Sequence, residues 1–346
     1  MDFPKYSNEF ISKARDAGFS EENIQKCLTY AKPLLEKKIP VIYDAFHLAS
    51  LVGYEYSYLM RAVIFEKFFY RQFLIKKANG TNRKIAEPLP SLKSIQTWIL
   101  ENILYPIKVS RFAKAYIPGI TLKQNLVFHK DQPKVLNLDI KNFFPSIKQK
   151  KIEYLFSSLG YSIQLSNLLS KLCCLEGSLP QGAPTSAYLS NLVMIPFDLN
   201  IGNYCLENKI RYTRYADDLT FSGDFDHSIL LKIVNIELKK LSFRLNDEKT
   251  KLMSRGDRQT VTGVVVNHKP QVVRYKRKEI RQTIYYIKKF GLVDHMKKIE
   301  SVRSNYLKHL LGQILYILFI NPEDREFLEY KSFLNSLIAT NTIMEE

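Results

Sequence analysis

Apolar positions recur every three or four residues through the first part of the chain, the signature of helices with one buried face. Phe10, Ile11 and Ala14 share such a face in a first helix that ends near Gly18. Ser20-Glu21-Glu22-Asn23 reads as an N-cap with acids in the first turn, and Ile24, Cys27, Leu28 and Ala31 carry the second helix. Pro33 and Pro40 punctuate, and Asp44 to Met60 is expected to form one further helix. The period then changes. Tyr70 to Ile85 reads as a strand, an Asn79-Gly80 turn and a returning strand. Trp98 to Tyr105 looks like a buried helix face, Val135 to Ile140 a buried strand, and residues 149 to 176 helix again. A Gly/Pro-kinked loop from Gly177 leads into another helix. Ile210 to Tyr215 and Leu219 to Ser222 are β-favouring runs on either side of a short turn. Ile229 to Leu241 is helical, Val261 to Asn267 a clean strand, and the region from about 296 to 340 helical.

Length and composition narrow the class. With 346 residues, 46% of them hydrophobic, and 21 Phe plus 21 Tyr, the chain can fold into two or three packed units. Its balance is strongly basic: 51 Lys and Arg against 34 Asp and Glu give +17. Polyanions are the natural partners of such a surface. From His268 to Lys289 eight basic residues face one acid, Glu279, and Tyr275, Tyr285 and Tyr286 are interleaved. That pattern suits contact with a nucleic-acid backbone, the alternative being a solvated helix face. No membrane is expected. The longest apolar run, Leu310 to Ile320, is too short to span a bilayer, and the first residues lack an apolar signal core. Cys27, Cys173, Cys174 and Cys205 show no zinc-like spacing and read as reduced thiols of a cytoplasmic protein.

Four stretches carry candidate chemistry. Asp217 and Asp218 sit in the turn between the two β-favouring runs, where two carboxylates can meet a divalent cation or simply be solvated. Asp139 lies inside a buried strand, where it needs a metal, a cation or a proton to offset its burial. Lys76, Lys77, Arg83 and Lys84 cluster near the Asn-Gly turn, as a triphosphate clamp or an ordinary exposed hairpin would have them. Around Gln181 and Gly182, small residues let backbone approach a ligand closely.

Taken in order, these stretches resemble a reverse transcriptase, closely over about 70 to 267 and more loosely beyond. The resemblance rests on the basic hairpin, LDIKNFF around Asp139, LPQGAPTS around Gln181, YADD at 215–218 and the Lys249-Thr250 pair. Two features look specific to retron reverse transcriptases: Asn125 to His129 resembles their NAxxH element, with Leu126 in place of Ala, and Val261-Thr262-Gly263 resembles their VTG element. One departure is Ala187, where the family loop QGxxxSP has proline, a change expected to act on helix entry and not on chemistry. The resemblance implies an α+β right-hand polymerase: an N-terminal helical region over 1–65, fingers over 66–133, a palm of antiparallel sheet plus helices over 134–267 with a helical insertion at about 148–178, and a basic α-helical thumb over 268–346.

It also implies roles. Asp139, Asp217 and Asp218, with the Ile140 carbonyl, would hold two Mg²⁺ ions, Asp217 contributing to both. Lys76 or Lys77 and Arg83 would grip the β and γ phosphates of a dNTP, Gln181 and Gly182 would line the nascent pair, and Phe144 would exclude a 2′-hydroxyl. Lys249 would donate a proton to pyrophosphate, and Tyr215 with Ala216 would abut the primer terminus. Asn125, His129, Val261, Thr262 and Gly263 would recognise RNA, and the thumb, through Arg274, Lys276, Arg277, Lys278 and Arg281, would grip a duplex or RNA stem. A retron enzyme implies a dedicated structured non-coding RNA as template and, through a guanosine 2′-hydroxyl, as primer. Its product would be branched DNA, and an effector or toxin protein would be a partner in phage defence. Another bacterial reverse transcriptase, of the group II intron or abortive-infection kind, is the alternative. So is an RNA-binding antitoxin scaffold, although no binding role needs all three aspartates.

Overall fold

The computed structural model describes residues 2–76, 80–300 and 305–345. Helix α1 (Phe3–Asp16) is capped by the Asp2 carboxylate, and α2 (Glu21–Glu36) by Ser20, as its sequence foretells. The single helix expected over 44–60 is two, α3 (Ala45–Val52) and α4 (Tyr56–Ile64). Gly53 separates them at φ 75°, a left-handed conformation that glycine adopts without strain and that closes the end of a helix. Strands β1 (Tyr70–Lys76) and β2 (Asn82–Pro88) then pair antiparallel, Tyr70 opposite Pro88 and Lys76 opposite Asn82. Lys77 and Asn79 lie outside the described residues. Helix α5 (Pro90–Ile99) runs on through a π-helical turn at Leu100–Leu104, and α6 (Leu122–Phe128) leads to the central sheet.

That sheet begins with β3 (Lys134–Asp139). Helices α7 (Phe143–Ser146), α8 (Gln149–Leu159), α9 (Ile163–Cys173), α10 (Pro184–Val193) and α11 (Ile195–Glu207) follow. The helical stretch expected over 149–176 is thus divided at Gly160, which takes φ 116° at the end of α8. Ala187 lies inside α10, whose entry is set by Pro184. Then come β4 (Arg211–Tyr215), β5 (Asp218–Gly223), α12 (His227–Lys240) and β6 (Lys251–Ser254), giving the antiparallel order β4-β5-β3-β6. Alternation along β3 explains the layering. Leu136 and Leu138 enter a large core shared with α2 to α5 and α8 to α12, while Val135 joins a second core on the opposite face. Asn137 and Asp139 share that second face.

The expected strand over 261–267 is instead a tight hairpin. Strands β7 (Thr260–Val261) and β8 (Val264–Val265) flank Thr262 and Gly263, both at positive φ, the combination a two-residue hairpin turn requires. With β9 (Gln271–Val272) they form a small sheet. Its Val261, Val264 and Val272 pack in the second core with Ile280 and Ile284 of α13 (Arg274–Phe290), so the buried core runs straight across position 267. The chain closes with α14 (Leu292–Lys298), α15 (Tyr306–Ile320) and α16 (Arg325–Glu345). The mixed α+β architecture, antiparallel sheet packed with helices, is as expected from the sequence. Among the described residues no helix is long and apolar enough to cross a membrane. The cysteines are free thiols, and burial pushes those of Cys173 and Cys205 up to about 12, which keeps them unreactive.

Candidate active site

The aspartate turn is tight. Tyr215 pairs with Asp218, leaving Ala216 and Asp217 as the two turn residues, with Ala216 at φ 60° and almost fully buried. Strand alternation turns Tyr212 and Arg214 to the back of the sheet. There the Arg214 guanidinium is fully buried and meets Asp198 of α11 bidentately, at 2.9 and 2.7 Å. Its remaining nitrogen donates to Asn191 Oδ1 of α10 at 2.9 Å and to the Ala216 carbonyl at 3.2 Å. The Tyr212 hydroxyl donates to Asp198 at 2.8 Å, and the Asn191 amide to the Ala115 carbonyl at 2.8 Å. Burial works against the Arg214 charge, but Asp198 more than offsets it and raises the guanidinium pKa above its ordinary value. The turn is held from behind by a planar fork whose donors are matched.

On the front face, Asp139 and Asp218 are directly paired between β3 and β5. Asp139 is 6% exposed, its backbone carbonyl accepts from Asn246 N–H at 2.8 Å, and Ile140 N–H donates to the Asp217 carbonyl at 3.0 Å. Its side chain accepts from Lys249 Nζ at 2.7 Å and from Asn246 Nδ2 at 3.2 Å. Burial, then the charges of Asp217 and Asp139, push Asp218 up to about 7. Burial also raises Asp217, with Asp139 adding to it and the Asp217 backbone N–H, Lys249 and Arg83 working against it. Lys249 is raised by Asp139 and then Asp217 and Asp218, against a desolvation that favours its neutral form. Buried carboxylates that repel one another need positive charge, and their hard oxygens are the donors a divalent cation prefers. The donor set therefore fits. Among the described residues, however, no three His, Cys, Asp or Glu side chains are gathered closely enough to enclose an ion, and Asp139 is engaged by Lys249 and Asn246.

Two cavities flank this cluster. One, of about 570 Å³, is lined by Arg83, Asp139, Phe143, Gln181, Asp217 and Lys249 among others. The other, of about 630 Å³, brings Asp139, Tyr215, Asp218, Lys249, Thr262 and Gly263 together. The Gln181-Gly182 loop is fastened to β2, since Ala86 N–H donates to the Gln181 carbonyl at 2.8 Å. A Cβ at Gly182, at φ 125°, would stand 2.7 Å from the Ala86 carbonyl oxygen. The close approach expected of this glycine is thus to β2. Of the two phenylalanines, Phe143 lines the first cavity, while Phe144 packs partly buried against the main core. Lys76 is exposed at the end of β1.

Several residues expected to touch RNA do other work. Asn125 and His129 of α6 and its C-cap are completely buried. The His129 ring bonds Ser222 Oγ and Thr213 Oγ1, each at 2.7 Å, and Thr213 Oγ1 donates to Asn125 Oδ1 at 2.6 Å. These side chains clamp α6 onto β4 and β5, so a surface contact is ruled out by burial. Val261 is likewise buried in the second core. On α13, Arg277 is ion-paired with Asp324 and lies within 3.6 Å of Glu326, and Arg281 donates to Glu326, with Nη2 at 2.6 Å. Both fasten α13 to the start of α16 and are not free for phosphate. Arg274, Lys276 and Lys278 are exposed, as expected.

The sequence reading missed Asn246, Asp198 and Asn191, and gave Arg214 no role. Alternation carried a signal for Arg214, since it falls on the same face as Tyr212. Tyr116, at φ 61°, was also missed. Its hydroxyl is raised by burial and then by Asp217, which puts it beside the site.

Comparison with known proteins follows the same line. Residues 75–303 match the family described as reverse transcriptase (RNA-dependent DNA polymerase). The chain is 29% identical over 315 residues to the Retron Ec86 reverse transcriptase of Escherichia coli, covering 88% of this chain and 93% of that one. It is 31% identical to the Retron Ec83 reverse transcriptase of Escherichia coli, over 76% of this chain and 86% of the other. To the Retron Mx65 reverse transcriptase of Myxococcus xanthus it is 32% identical, over 75% and 63%.

Proposed function

The chain belongs to the reverse transcriptases, in their retron type, and is an RNA-directed DNA polymerase; from that premise we propose that it copies one dedicated structured RNA. Priming would come from the 2′-hydroxyl of a guanosine in that RNA, giving a branched RNA–DNA product, and the system would serve phage defence alongside an effector protein. The observation that carries the catalytic part is the meeting of Asp139, Asp217 and Asp218 beside a cation, Lys249, between two cavities. Those carboxylates and the Ile140 carbonyl would hold two Mg²⁺ ions, which when bound supply Lewis-acid activation of the primer hydroxyl and charge neutralisation at the leaving pyrophosphate.

The protein's own groups divide the remaining work. Arg83 lines the first cavity on the nucleotide side, and with Lys76 and Lys77 it would hold the β and γ phosphates. Gln181 shares that cavity and would line the nascent pair, while Phe144, outside the lining but packed on the cavity-lining Phe143, would select against a 2′-hydroxyl. Lys249, kept protonated by its acidic neighbours, is suited to hand a proton to pyrophosphate. Tyr215, Thr262 and Gly263 line the second cavity, where the primer terminus would lie; this reading moves Thr262 and Gly263 from RNA recognition to primer placement. The exposed Arg274, Lys276 and Lys278 are the thumb cations left for an RNA stem or duplex. Purified protein with its own RNA, dNTPs and Mg²⁺ should yield branched DNA, and the double variant Asp217→Ala, Asp218→Ala should yield none. An equal yield from the double variant removes the carboxylates from catalysis.

A further inference from the structure

Behind the first cavity lies a third, of about 560 Å³, which no step described so far uses. Its cations come from three places: Lys141 from the loop after β3, Lys239 from the last turn of α12, and Arg244 from the loop beyond. Among the described residues these three side chains make no ion pair, and only one carboxylate, Asp247, lines the cavity with them. Asn142, Asn235 and Ser242 add neutral donors. The helix dipole of α12 accounts for Lys239, since a cation at a helix C-terminus is favourable. It does not account for Lys141 or Arg244, which lie on other segments and converge on the same space. Unpaired cations held together repel one another, so an anion in the cavity lowers the energy of all three.

Position narrows the anion. Lys141, Asn142, Leu245 and Asp247 line both this cavity and the catalytic one with Arg83 and Gln181, so the two share a partition. Each nucleotide added releases one pyrophosphate on the far side of that partition. We propose that the third cavity is a phosphate site that receives pyrophosphate as it leaves the catalytic cavity, a role that rests on the polymerase reading above. Arg244 offers a planar fork that matches phosphate oxygens, while Lys141 and Lys239 act as point charges.

The test uses the full chain carrying Lys239→Gln and Arg244→Gln. Calorimetric titration of pyrophosphate in EDTA reports this cavity through the difference between wild type and variant, because both keep Arg83 and the aspartates of the other one. Wild type should bind saturably, the double variant about tenfold more weakly or worse, and the charge-keeping Lys239→Arg, Arg244→Lys pair between the two, its charge kept and the Arg244 fork lost. Equal binding by wild type and the Gln variant overturns the site. A loss of affinity for a single-stranded oligonucleotide, with pyrophosphate binding intact, also overturns it in favour of a backbone contact. In primer extension the Gln variant should keep its single-turnover rate and lose several-fold in steady-state turnover, the mark of slower product release. An unchanged turnover number overturns the exit role. If neither protein extends a primer, the polymerase reading fails, and the titrations still decide the site.

Discussion

Two basic–acidic pairs stand on opposite faces of the same sheet, and they are built for opposite purposes. Behind the turn, Arg214 and Asp198 are both 0% exposed, and each is hydrogen-bonded to further groups. In front, Lys249 and Asp139 meet at a similar 2.7 Å, but the lysine side chain is 59% exposed and the aspartate 8%. Arginine's fork, once desolvated and satisfied, has nowhere else to go. A lysine ammonium with water beside it can leave, and a site that must exchange one cation for another needs the weaker partner. The rear pair anchors the turn from behind, while the front pair sets Asp139 beside a cation that water can reach.

The sharpest way to break this contrast is to cut the rear pair. Asp198→Ala leaves the Arg214 charge buried and unmatched, and should cost about 3–5 kcal/mol of folding stability in urea denaturation. A loss below about 1 kcal/mol would show the rear pair to be no more of an anchor than the front one.

The next effect concerns the other buried clamp on the hairpin, His129. Burial, with Arg211 and Lys114 adding to it, pushes its imidazole down to about 3. The unfolded chain takes up a proton near the ordinary value of 6.5 and the folded chain does not, so the stabilising contribution is complete above 6.5 and is lost progressively as the pH falls from there towards 3. By pH 5 the expected loss from this group is about 2 kcal/mol. His129→Gln should have a shallower fall in Tm between pH 7 and 5 than wild type; parallel curves would mean the ring is not held neutral.

The front pair should give the smallest change in stability. Lys249→Gln is expected to shift folding by less than about 1 kcal/mol, as exposed pairs do. Its Mg²⁺ response should grow, because the ion no longer competes with an ammonium for Asp139. A Tm rise on adding Mg²⁺ that is smaller in the variant than in wild type would count against exchange at this position.

How much of this was legible beforehand depended on how local each signal was. The aspartate hairpin, Asp139 in its strand, the basic β1–β2 hairpin and the Gln181 loop were all readable, because turn residues and period-two alternation act within a few neighbours. Gly53 and Gly160 could have divided their helices on the same grounds. The Thr262-Gly263 turn was hidden inside a run of valines whose β propensity looks the same in one strand as in two. Arg277 and Arg281 looked like free phosphate contacts because their acidic partners, Asp324 and Glu326, lie 47 and 45 residues away. Asn125 and His129 read as RNA contacts through their likeness to the NAxxH element, and a motif says nothing of what folds over it.

The chain by itself therefore determined which groups could do chemistry, the order of the strands and helices that carry them, and the sign of the charge they present to a partner. Tertiary structure alone decided which polar groups remain available. A charge in sequence is a property of one residue, whereas its exposure and pairing depend on segments that meet only when the apolar faces pack. Around β3 and the β4–β5 hairpin, that packing turned Arg214 of β4 and Asn125 and His129 of α6 and its C-cap inward as supports, and left Asp139, Asp217 and Asp218 facing the cavities.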